Sequence, residues 1–329
     1  MKYSLIIPVY NRPDEVDELL GSLTQQNFTN YEVIVVEDGS DITCEHVVGK
    51  YTDRLDIKYF QKPNSGPGQT RNFGAERAEG EWLVILDSDV LVPEGYFAAI
   101  ETFLADHSID AFGGPDRAHQ SFTDIQKAIN YSMTSFFTTG GIRGKKQRLD
   151  KFYPRSFNMG IRREVYMALG GFGKMRFGED VDFSLRIVEA GYKTALIEDA
   201  FVYHKRRTDL KKFWRQVYNS GIARINLQLL HPGSLKIVHT LPAVFTIGVV
   251  LLFLGGAVFP WLWSLIVLWA LLIFVDSSIM NNNLKIGALS VAASFVQLTG
   301  YGCGFISAVW NRLILKRDEY SAYNKNFYK

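Results

Sequence analysis

Apolar and polar positions divide the chain into two parts with different patterns. As far as about Leu235, short continuous apolar runs such as Tyr3–Val9 and Trp82–Leu86 alternate with segments such as 16–23, whose apolar residues recur every three or four positions. Continuous runs are typical of buried parallel strands, and periodic segments are typical of the helices that connect them. The pattern therefore predicts an α/β domain over residues 1–235, with a mostly parallel sheet and helices on both of its faces.

The second part is almost free of charge. From Ile237 to Val275 there are 39 consecutive residues without Asp, Glu, Lys or Arg, and from Ile286 to Asn311 there are 26 more. A helix needs about 20 residues to cross about 30 Å of hydrocarbon. We therefore expect a membrane region over 236–329, with a basic tail and two or three hydrophobic helices, at about 237–257, 260–275 and 286–310. A buried hairpin of a soluble protein is the alternative.

The number of membrane crossings stays open at this point. Three crossings would place the basic tail on the side opposite residues 1–235, against the tendency of basic residues to stay in the cytoplasm. Otherwise the first charge-free run forms a re-entrant or interfacial hairpin. Pro8 interrupts the first apolar run too early for a signal peptide, so we expect the first domain in the cytoplasm, at the inner cell membrane.

The segment before the charge-free runs is basic and amphipathic. Six residues between Lys205 and Arg215 are basic, and Leu210, Phe213 and Val217 share one face of a helix predicted at about 208–230. Such a helix can lie in the membrane interface beside anionic headgroups. A solvated run of charges against the domain is the alternative.

Composition and charge narrow the classes of protein and partner. The chain is 47% hydrophobic, and its only cysteines are Cys44 and Cys303, which excludes a disordered chain and a disulfide scaffold. Its mean hydropathy of −0.01 averages a polar domain with a membrane region. Because the net charge of +2 gives no general basic field, we expect no nucleic acid among the partners.

Polar clusters follow the predicted strands. Asp87-Ser88-Asp89 comes directly after the apolar run 82–86. In such sheets ligands bind beyond the carboxyl ends of the strands, and two carboxylates there suit a hard divalent cation that carries phosphate oxygens. The loop Gly66–Asn72 allows close backbone approach to a ligand, and its Arg71 supplies a charge for phosphate. An ordinary turn and an ordinary helix cap are the alternatives.

A third polar cluster begins a predicted helix. Glu179, Asp180 and Asp182 stand within four consecutive positions, shortly after a glycine-rich loop. Acidic residues at a helix N-terminus often serve only as caps and dipole partners. Three of them exceed what capping requires, which indicates a general base at the mouth of a site.

The order of these motifs resembles the family 2 glycosyltransferases, which are inverting enzymes of the GT-A fold, in their membrane-anchored bacterial form. The matching pieces are Pro8–Arg12, Val35–Ser40, Gly66–Asn72, Leu86–Asp89, Asn158–Gly160, Gly170–Phe172, Gly178–Asp182 and Tyr203-His204. The resemblance implies transfer of a sugar from a nucleotide diphosphate sugar to an acceptor hydroxyl, with inversion at the anomeric carbon. It also implies Mg²⁺ or Mn²⁺ as the cofactor.

The resemblance assigns the donor contacts to individual residues. It implies that Pro8 and Tyr10 line the pocket for the base and the ribose. It implies that Asp38 forms a hydrogen bond with the nucleobase and that Arg71 lies near the diphosphate.

The cation and the chemical step receive assignments from the same resemblance. It implies that Asp89 holds the cation, with Asp87 acting partly through ribose or water, and that His204 is a further metal or diphosphate contact. It implies that Asp180 is the catalytic base, with Glu179 beside it.

Two features bear on the acceptor. A polyprenyl phosphate attacks with an oxygen that is already ionised and needs no strong base, so Asp180 favours a hydroxyl acceptor. Polymerising relatives carry a Gln-x-x-Arg-Trp segment, whereas residues 213–217 read Phe-Trp-Arg-Gln-Val. We expect one hexosyl or N-acetylhexosaminyl unit to pass from a UDP-sugar to a lipid-linked or lipid acceptor, in glycan or glycolipid biosynthesis. A polyprenyl-phosphate glycosyltransferase and a non-catalytic nucleotide-binding membrane scaffold are the alternatives.

Overall fold

The computed structural model describes residues 1–117, 122–139, 152–205 and 207–318. They form two compact units, which are described separately. The sheet unit comprises residues 1–117 and 152–204, and the helical unit comprises residues 122–139, 205 and 207–318. Lys325 and Lys329 of the predicted basic tail lie outside the described residues.

The sheet unit contains a larger and a smaller sheet. The strands are β1 Tyr3–Val9, β2 Tyr31–Asp38, β3 Ile57–Lys62, β4 Trp82–Leu86, β5 Val90–Leu91, β6 Ala111–Gly113, β7 Asp116–Arg117, β8 Asn158–Arg162, β9 Thr194–Leu196 and β10 Val202–His204. The larger sheet has the order β3-β2-β1-β4-β8-β6-β9. Its strands pair in parallel except where β8 pairs with β4 and β6. The predicted mostly parallel sheet is confirmed.

Helices cover both faces of the larger sheet. They are α1 Pro13–Leu23, α2 Glu45–Val48, α3 Pro67–Ala75, α4 Tyr96–Asp106, α7 Arg163–Ala168 and α8 Glu179–Glu189. Successive residues of a strand point to opposite faces, so Leu5 and Ile7 of β1 join a core with α1 and α4, while Ile6 joins a core with α3 and α8. The predicted coverage of both faces is confirmed as well.

The smaller sheet sets the position of His204. β10 pairs antiparallel with β5, which places His204 opposite Val90, and it pairs in parallel with β7. Val90 directly follows Asp89 in the chain. The pairing therefore brings the end of β10 to the turn that follows β4, although the two segments are far apart in sequence.

The helical unit contains the apolar runs. Its α-helices are α5 Asp124–Thr134, α6 Phe136–Thr139, α9 Leu210–Leu230, α10 Leu241–Gly256, α11 Trp263–Asn281 and α12 Leu284–Ala308, which continues in a π-helical turn Val309–Ile314. Among the described residues, the segments Pro260–Asn281 and Leu284–Ile314 are long and apolar enough to cross a membrane, and α10 is shorter. This is consistent with membrane anchoring.

The amphipathic segment forms helix α9. Its apolar residues Phe213 and Val217 are buried and pack in one cluster with Ile286 and Ala293 of α12. The prediction that this helix lies in the membrane interface stays a prediction, and in the structure the apolar face of the helix packs on protein. The reason is that small residues on α12 let the two helices approach closely.

We expect Gly160→Ala to destabilise the sheet unit. Gly160 of β8 lies opposite Phe112 of β6, and a Cβ atom on Gly160 would stand 2.0 Å from the Phe112 ring. Since Phe112 is fully buried, the ring must shift, and overpacking of this kind costs about 1–3 kcal/mol. Thermal unfolding measures the effect. The control is Gly95→Ala, because nothing lies within 4 Å of its added Cβ; equal unfolding temperatures for the two variants would contradict the prediction.

Candidate active site

Two aspartates and a histidine meet where β4 ends. Asp87, Asp89 and His204 each offer one ligand atom, and these atoms lie within 4.8 Å of one another. The His204 Nε2 atom lies 3.1 Å from Asp89 Oδ1. The chain reaches this arrangement because the β4–β5 turn carries both aspartates and the pairing of β5 with β10 adds the imidazole.

Neighbouring side chains hold this group in place. Arg12, which follows β1, donates a hydrogen bond from Nη1 to Asp89 Oδ2. The ring of Phe157 stacks on the His204 ring with centroids 5.2 Å apart. The Asp89 side chain is 11% exposed, so its ion pair with Arg12 is only partly screened by water. Both partners therefore restrict the orientation of the two ligand groups.

The donor set of Asp87, Asp89 and His204 fits a divalent cation. Carboxylate oxygens suit Mg²⁺ and Mn²⁺, and an imidazole nitrogen is a common ligand of transition metals. Two carboxylates and one imidazole therefore form a group that could hold a divalent metal ion.

Arg71 links this group to helix α8. The Arg71 side chain is 4% exposed; its Nη2 donates to Asp87 Oδ1 at 2.8 Å and its Nη1 donates to Glu179 Oε1 at 3.0 Å. The Phe172 ring lies 5.2 Å from the guanidinium. The helix that carries Arg71 can approach because Gly68 leaves room: an added Cβ there would lie 3.2 Å from Phe172 and 3.3 Å from Glu179.

Two acidic residues begin helix α8. The preceding Gly178 has a φ of 84°, which is a left-handed conformation that favours glycine. Arg155 donates from Nε to Asp180 Oδ2 at 2.6 Å, and the Asp180 side chain is 15% exposed. The same turn therefore presents Glu179 to Arg71 and Asp180 to Arg155.

The two neighbouring carboxyl groups titrate in opposite directions. Burial, together with the negative charge of Asp180, raises the pKa of Glu179 to about 7, against the opposing effect of Arg71. Burial also disfavours the charged form of Asp180, but the ion pair and hydrogen bond with Arg155 outweigh it and lower the pKa of Asp180. Asp180 thus stays ionised to lower pH than an exposed aspartate does, whereas Glu179 takes up a proton at higher pH than an exposed glutamate does.

Asp38, at the carboxyl end of β2, is fully bonded within the chain. Its Oδ1 accepts from Lys62 Nζ at 2.6 Å and from the Ser65 amide at 2.9 Å. Its Oδ2 accepts from the Gly66 amide at 2.9 Å and from Asn64 Nδ2 at 3.2 Å. Asp38 therefore fixes the loop that leads into α3, and its predicted bond to a nucleobase stays a prediction.

The remaining predicted donor contacts lie at the end of the neighbouring strand. Pro8 belongs to β1 and Tyr10 directly follows it, and Pro8 and Val9 pair with Val36 and Glu37 of β2. β1 also pairs with β4. Pro8, Tyr10 and Asp38 therefore share the carboxyl edge of the sheet with Asp87 and Asp89, as expected for one site, and the roles assigned to them stay predictions.

Apart from Arg71, sequence reasoning missed the basic residues that pair with the predicted acids. Arg12 could have been found, since it stands in the polar cluster after the first strand. Arg155 follows no strand or motif, and only the folded chain brings it to Asp180. Lys62, which pairs with Asp38, ends the third strand and carries the same kind of signal as Arg12.

Comparisons with known proteins support the family resemblance. Residues 4–170 match the family model described as Glycosyl transferase family 2. The poly(ribitol-phosphate) beta-N-acetylglucosaminyltransferase TarS of Staphylococcus aureus is 39% identical over 114 residues, or 33% of this chain. The match spans only 20% of the length of that relative.

Two solved structures share the architecture. The mannosyltransferase PcManGT from Pyrobaculum calidifontis, solved with GDP-Man and Mn²⁺, has a TM-score of 0.68 at 16% identity, over 94% of this chain and 88% of that one. Residues 1–349 of S. aureus TarS, solved with UDP-GlcNAc, have a TM-score of 0.50 at 20% identity, over 96% and 93% of the two chains. At these identities the likeness concerns the fold alone, and the predicted GT-A fold is confirmed.

We expect His204→Ala to weaken Mn²⁺ binding by at least about tenfold, because changes even to residues that only orient metal ligands cost about 10–100-fold in affinity. The free Mn²⁺ signal in electron paramagnetic resonance, measured during titration of the purified chain, gives the affinity. The control is His107→Ala, since His107 is exposed, directly follows α4 and stacks on Phe103 of that helix. Equal affinity of the two variants would show that His204 does not hold the ion.

Proposed function

We propose that this chain, which belongs to glycosyl transferase family 2, transfers one sugar from a UDP-sugar to a hydroxyl group of a lipid-linked or lipid acceptor at the cytoplasmic face of the membrane. The observation that carries the proposal is the link from the Asp87–Asp89–His204 group through Arg71 to the two carboxyl groups that begin α8. It connects the residues that would bind the donor diphosphate with the carboxylate that would act as the catalytic base.

The residues at the end of β4 serve the leaving group. Asp87, Asp89 and His204 would hold Mn²⁺ or Mg²⁺, which would stabilise the negative charge that develops on the departing nucleoside diphosphate. Arg71 adds a fixed positive charge beside Asp87. Because Arg71 is buried and bonded on both sides, it needs little reorganisation when that charge develops.

Asp180 serves the acceptor. A hydroxyl group is a poor nucleophile near neutral pH, and a positioned carboxylate that takes its proton contributes about 10²–10⁴-fold. Arg155 keeps Asp180 ionised, so this carboxylate can accept a proton, whereas burial and the charge of Asp180 raise the pKa of Glu179. A single displacement then inverts the anomeric carbon.

The donor and the acceptor are inferred from different observations. TarS is an N-acetylglucosaminyltransferase and was solved with UDP-GlcNAc, which supports UDP-N-acetylglucosamine as the first donor to test. The two apolar segments of the helical unit support an acceptor that resides in a membrane. Transfer to such an acceptor would belong to glycan or glycolipid biosynthesis.

We expect the purified chain to form a glycolipid from a UDP-sugar and a membrane lipid extract, and Asp180→Asn to reduce the rate by at least about 100-fold, the lower end of what general-base catalysis contributes. Mass spectrometry of the lipids after incubation with a panel of nucleotide sugars measures transfer. Calorimetry should show nearly unchanged binding of UDP to the variant.

The outcomes of this experiment separate the alternatives. A product sugar carried on polyprenyl phosphate would overturn the hydroxyl acceptor, and binding of UDP without any product would favour a scaffold. Near-normal turnover of Asp180→Asn would exclude Asp180 as the base.

We expect Arg155→Met to move the acidic limb of the pH profile of kcat/KM upward by about one pH unit or more, because an adjacent opposite charge shifts a carboxyl pKa by about 1–3 units. The lowered pKa of Asp180 depends on this ion pair, so its loss makes the carboxylate protonate at higher pH. Arg155→Lys should restore most of the original profile. The control is Arg163→Met at the exposed start of α7, and an identical shift in that variant would contradict the prediction.

A further inference from the structure

Helix α12 has the length of a membrane span but not its surroundings. The segment Leu284–Ile314 is apolar enough to cross a bilayer, yet half of its most apolar 18-residue stretch is buried in protein. Only 11% of the corresponding stretch of Pro260–Asn281 is buried. α12 is therefore enclosed largely by other helices, whereas α11 is not.

Helix α9 runs beside α12 in the same direction. An added Cβ on Gly300 would lie 2.6 Å from Val217 and 3.3 Å from Trp214, and one on Gly304 would lie 2.0 Å from the backbone of Tyr218. Further along, Arg312 donates from Nε to Asn226 Oδ1 at 3.0 Å. The contacts follow increasing residue number on both helices, so α9 and α12 run parallel to each other. They stay in contact from Gly300 to Arg312.

This contact places charges beside the middle of α12. With about 1.5 Å of rise per residue, Gly300 lies about 22 Å along the helix from Lys285 and about 18 Å from Arg312. Lys211, Lys212 and Arg215 of α9 are exposed and lie within one turn of Trp214, which contacts Gly300. If α12 crossed a bilayer, these three cations would stand near its centre, where charged side chains are strongly disfavoured.

The beginning of α12 has polar neighbours on α5. Lys285 forms an ion pair with Asp124 at 2.8 Å. The next turns of α12 share a cluster with Ala128 and Ile129 of the same helix. Polar helices therefore accompany α12 from its first turn to its last.

Helices α10 and α11 touch α12 near one end each. Thr246 of α10 donates to the Leu298 carbonyl at 3.4 Å, and Ser277 of α11 donates to Ser290 Oγ at 2.7 Å. The helices α10 and α11 form a hairpin. Between these contacts its large apolar side chains are exposed, as at Leu251, Leu254, Val258, Trp261 and Leu268. The start of α10 and the end of α11 are therefore held against α12, and the apolar side chains between them are not covered by protein.

We infer that α12 lies along the membrane surface, with α5 and α9 on its aqueous side, and that the hairpin of α10 and α11 alone enters the acyl-chain region. The inference rests on the membrane attachment proposed above. Its occupant is the hydrocarbon of a bilayer, because Pro260–Asn281 is long and apolar enough to cross one and its large side chains are exposed.

The orientation of α12 decides the side of the following residues. Arg312, Lys316 and Arg317 then stay on the side of the membrane from which the chain enters α9. Since only five residues connect His204 to Leu210, no crossing separates the end of β10 from α9. The hairpin crosses the bilayer twice or enters and returns, and in both cases the basic end of α12 shares the side of His204.

Cysteine accessibility in sealed vesicles of one orientation tests the inference. The parent is Cys303→Ala, in which Cys44 is buried and gives the background with a membrane-impermeant maleimide. Lys316→Cys reports on the end of α12, and Ile42→Cys, at an exposed position of the sheet unit, is the reference. We expect both cysteines to react from the same side; reaction of the two from opposite sides would overturn the inference.

Depth measurements give a second, independent readout. Spin labels on Phe295→Cys of α12 and on Leu251→Cys of the hairpin are compared by their access to oxygen and to a water-soluble nickel chelate. We expect the label at 295 to be shallower than the label at 251, and equal or greater depth would overturn the inference. Failure of the parent to co-sediment with liposomes would overturn the proposed membrane attachment itself, whereas co-sedimentation with opposite-side labelling would overturn only the orientation of α12.

Discussion

Repulsion between carboxylates is the constraint on which the site of the sheet unit depends. Asp87 and Glu179 share Arg71, the ligand atoms of Asp87 and Asp89 lie within 4.8 Å of each other, and Asp180 directly follows Glu179. Like charges this close to one another repel. Three arginines answer this constraint, each from a different part of the fold: one follows β1, one lies in α3 and one precedes β8. The ion pairs that offset this repulsion therefore also connect the strands and helices that surround the site.

Asp38 supports the site from the end of the neighbouring strand β2. Its carboxylate accepts hydrogen bonds from Lys62, Asn64 and two backbone amides of the loop that leads into α3. That helix begins at Pro67 and carries Arg71. Asp38 thus stabilises the start of the helix whose arginine bridges Asp87 and Glu179, so the two ends of the candidate site are connected through α3.

The sequence predicts those parts of the site that depend on local pattern. The strands and their helices were predictable because burial on both faces leaves continuous apolar runs, and Asp87 and Asp89 were predictable because they directly end such a run. The pairing of β10 with β5 joins segments with no shared pattern, and His204 was found only through the family resemblance. Periodicity identified the apolar face of α9 but could not tell whether lipid or α12 covers it, because both are apolar.

The glycines of α12 have a mechanical consequence. Gly300 and Gly304 meet α9, whereas a Cβ on Gly302 would lie 2.1 Å from Thr246 and 2.4 Å from the Pro242 carbonyl oxygen of α10. α12 thus lies against α9 on one side and α10 on the other, so closely that its glycines leave no room for a Cβ atom. Because these contacts are so close, we expect a displacement of α10 to move α12, and α9 with it.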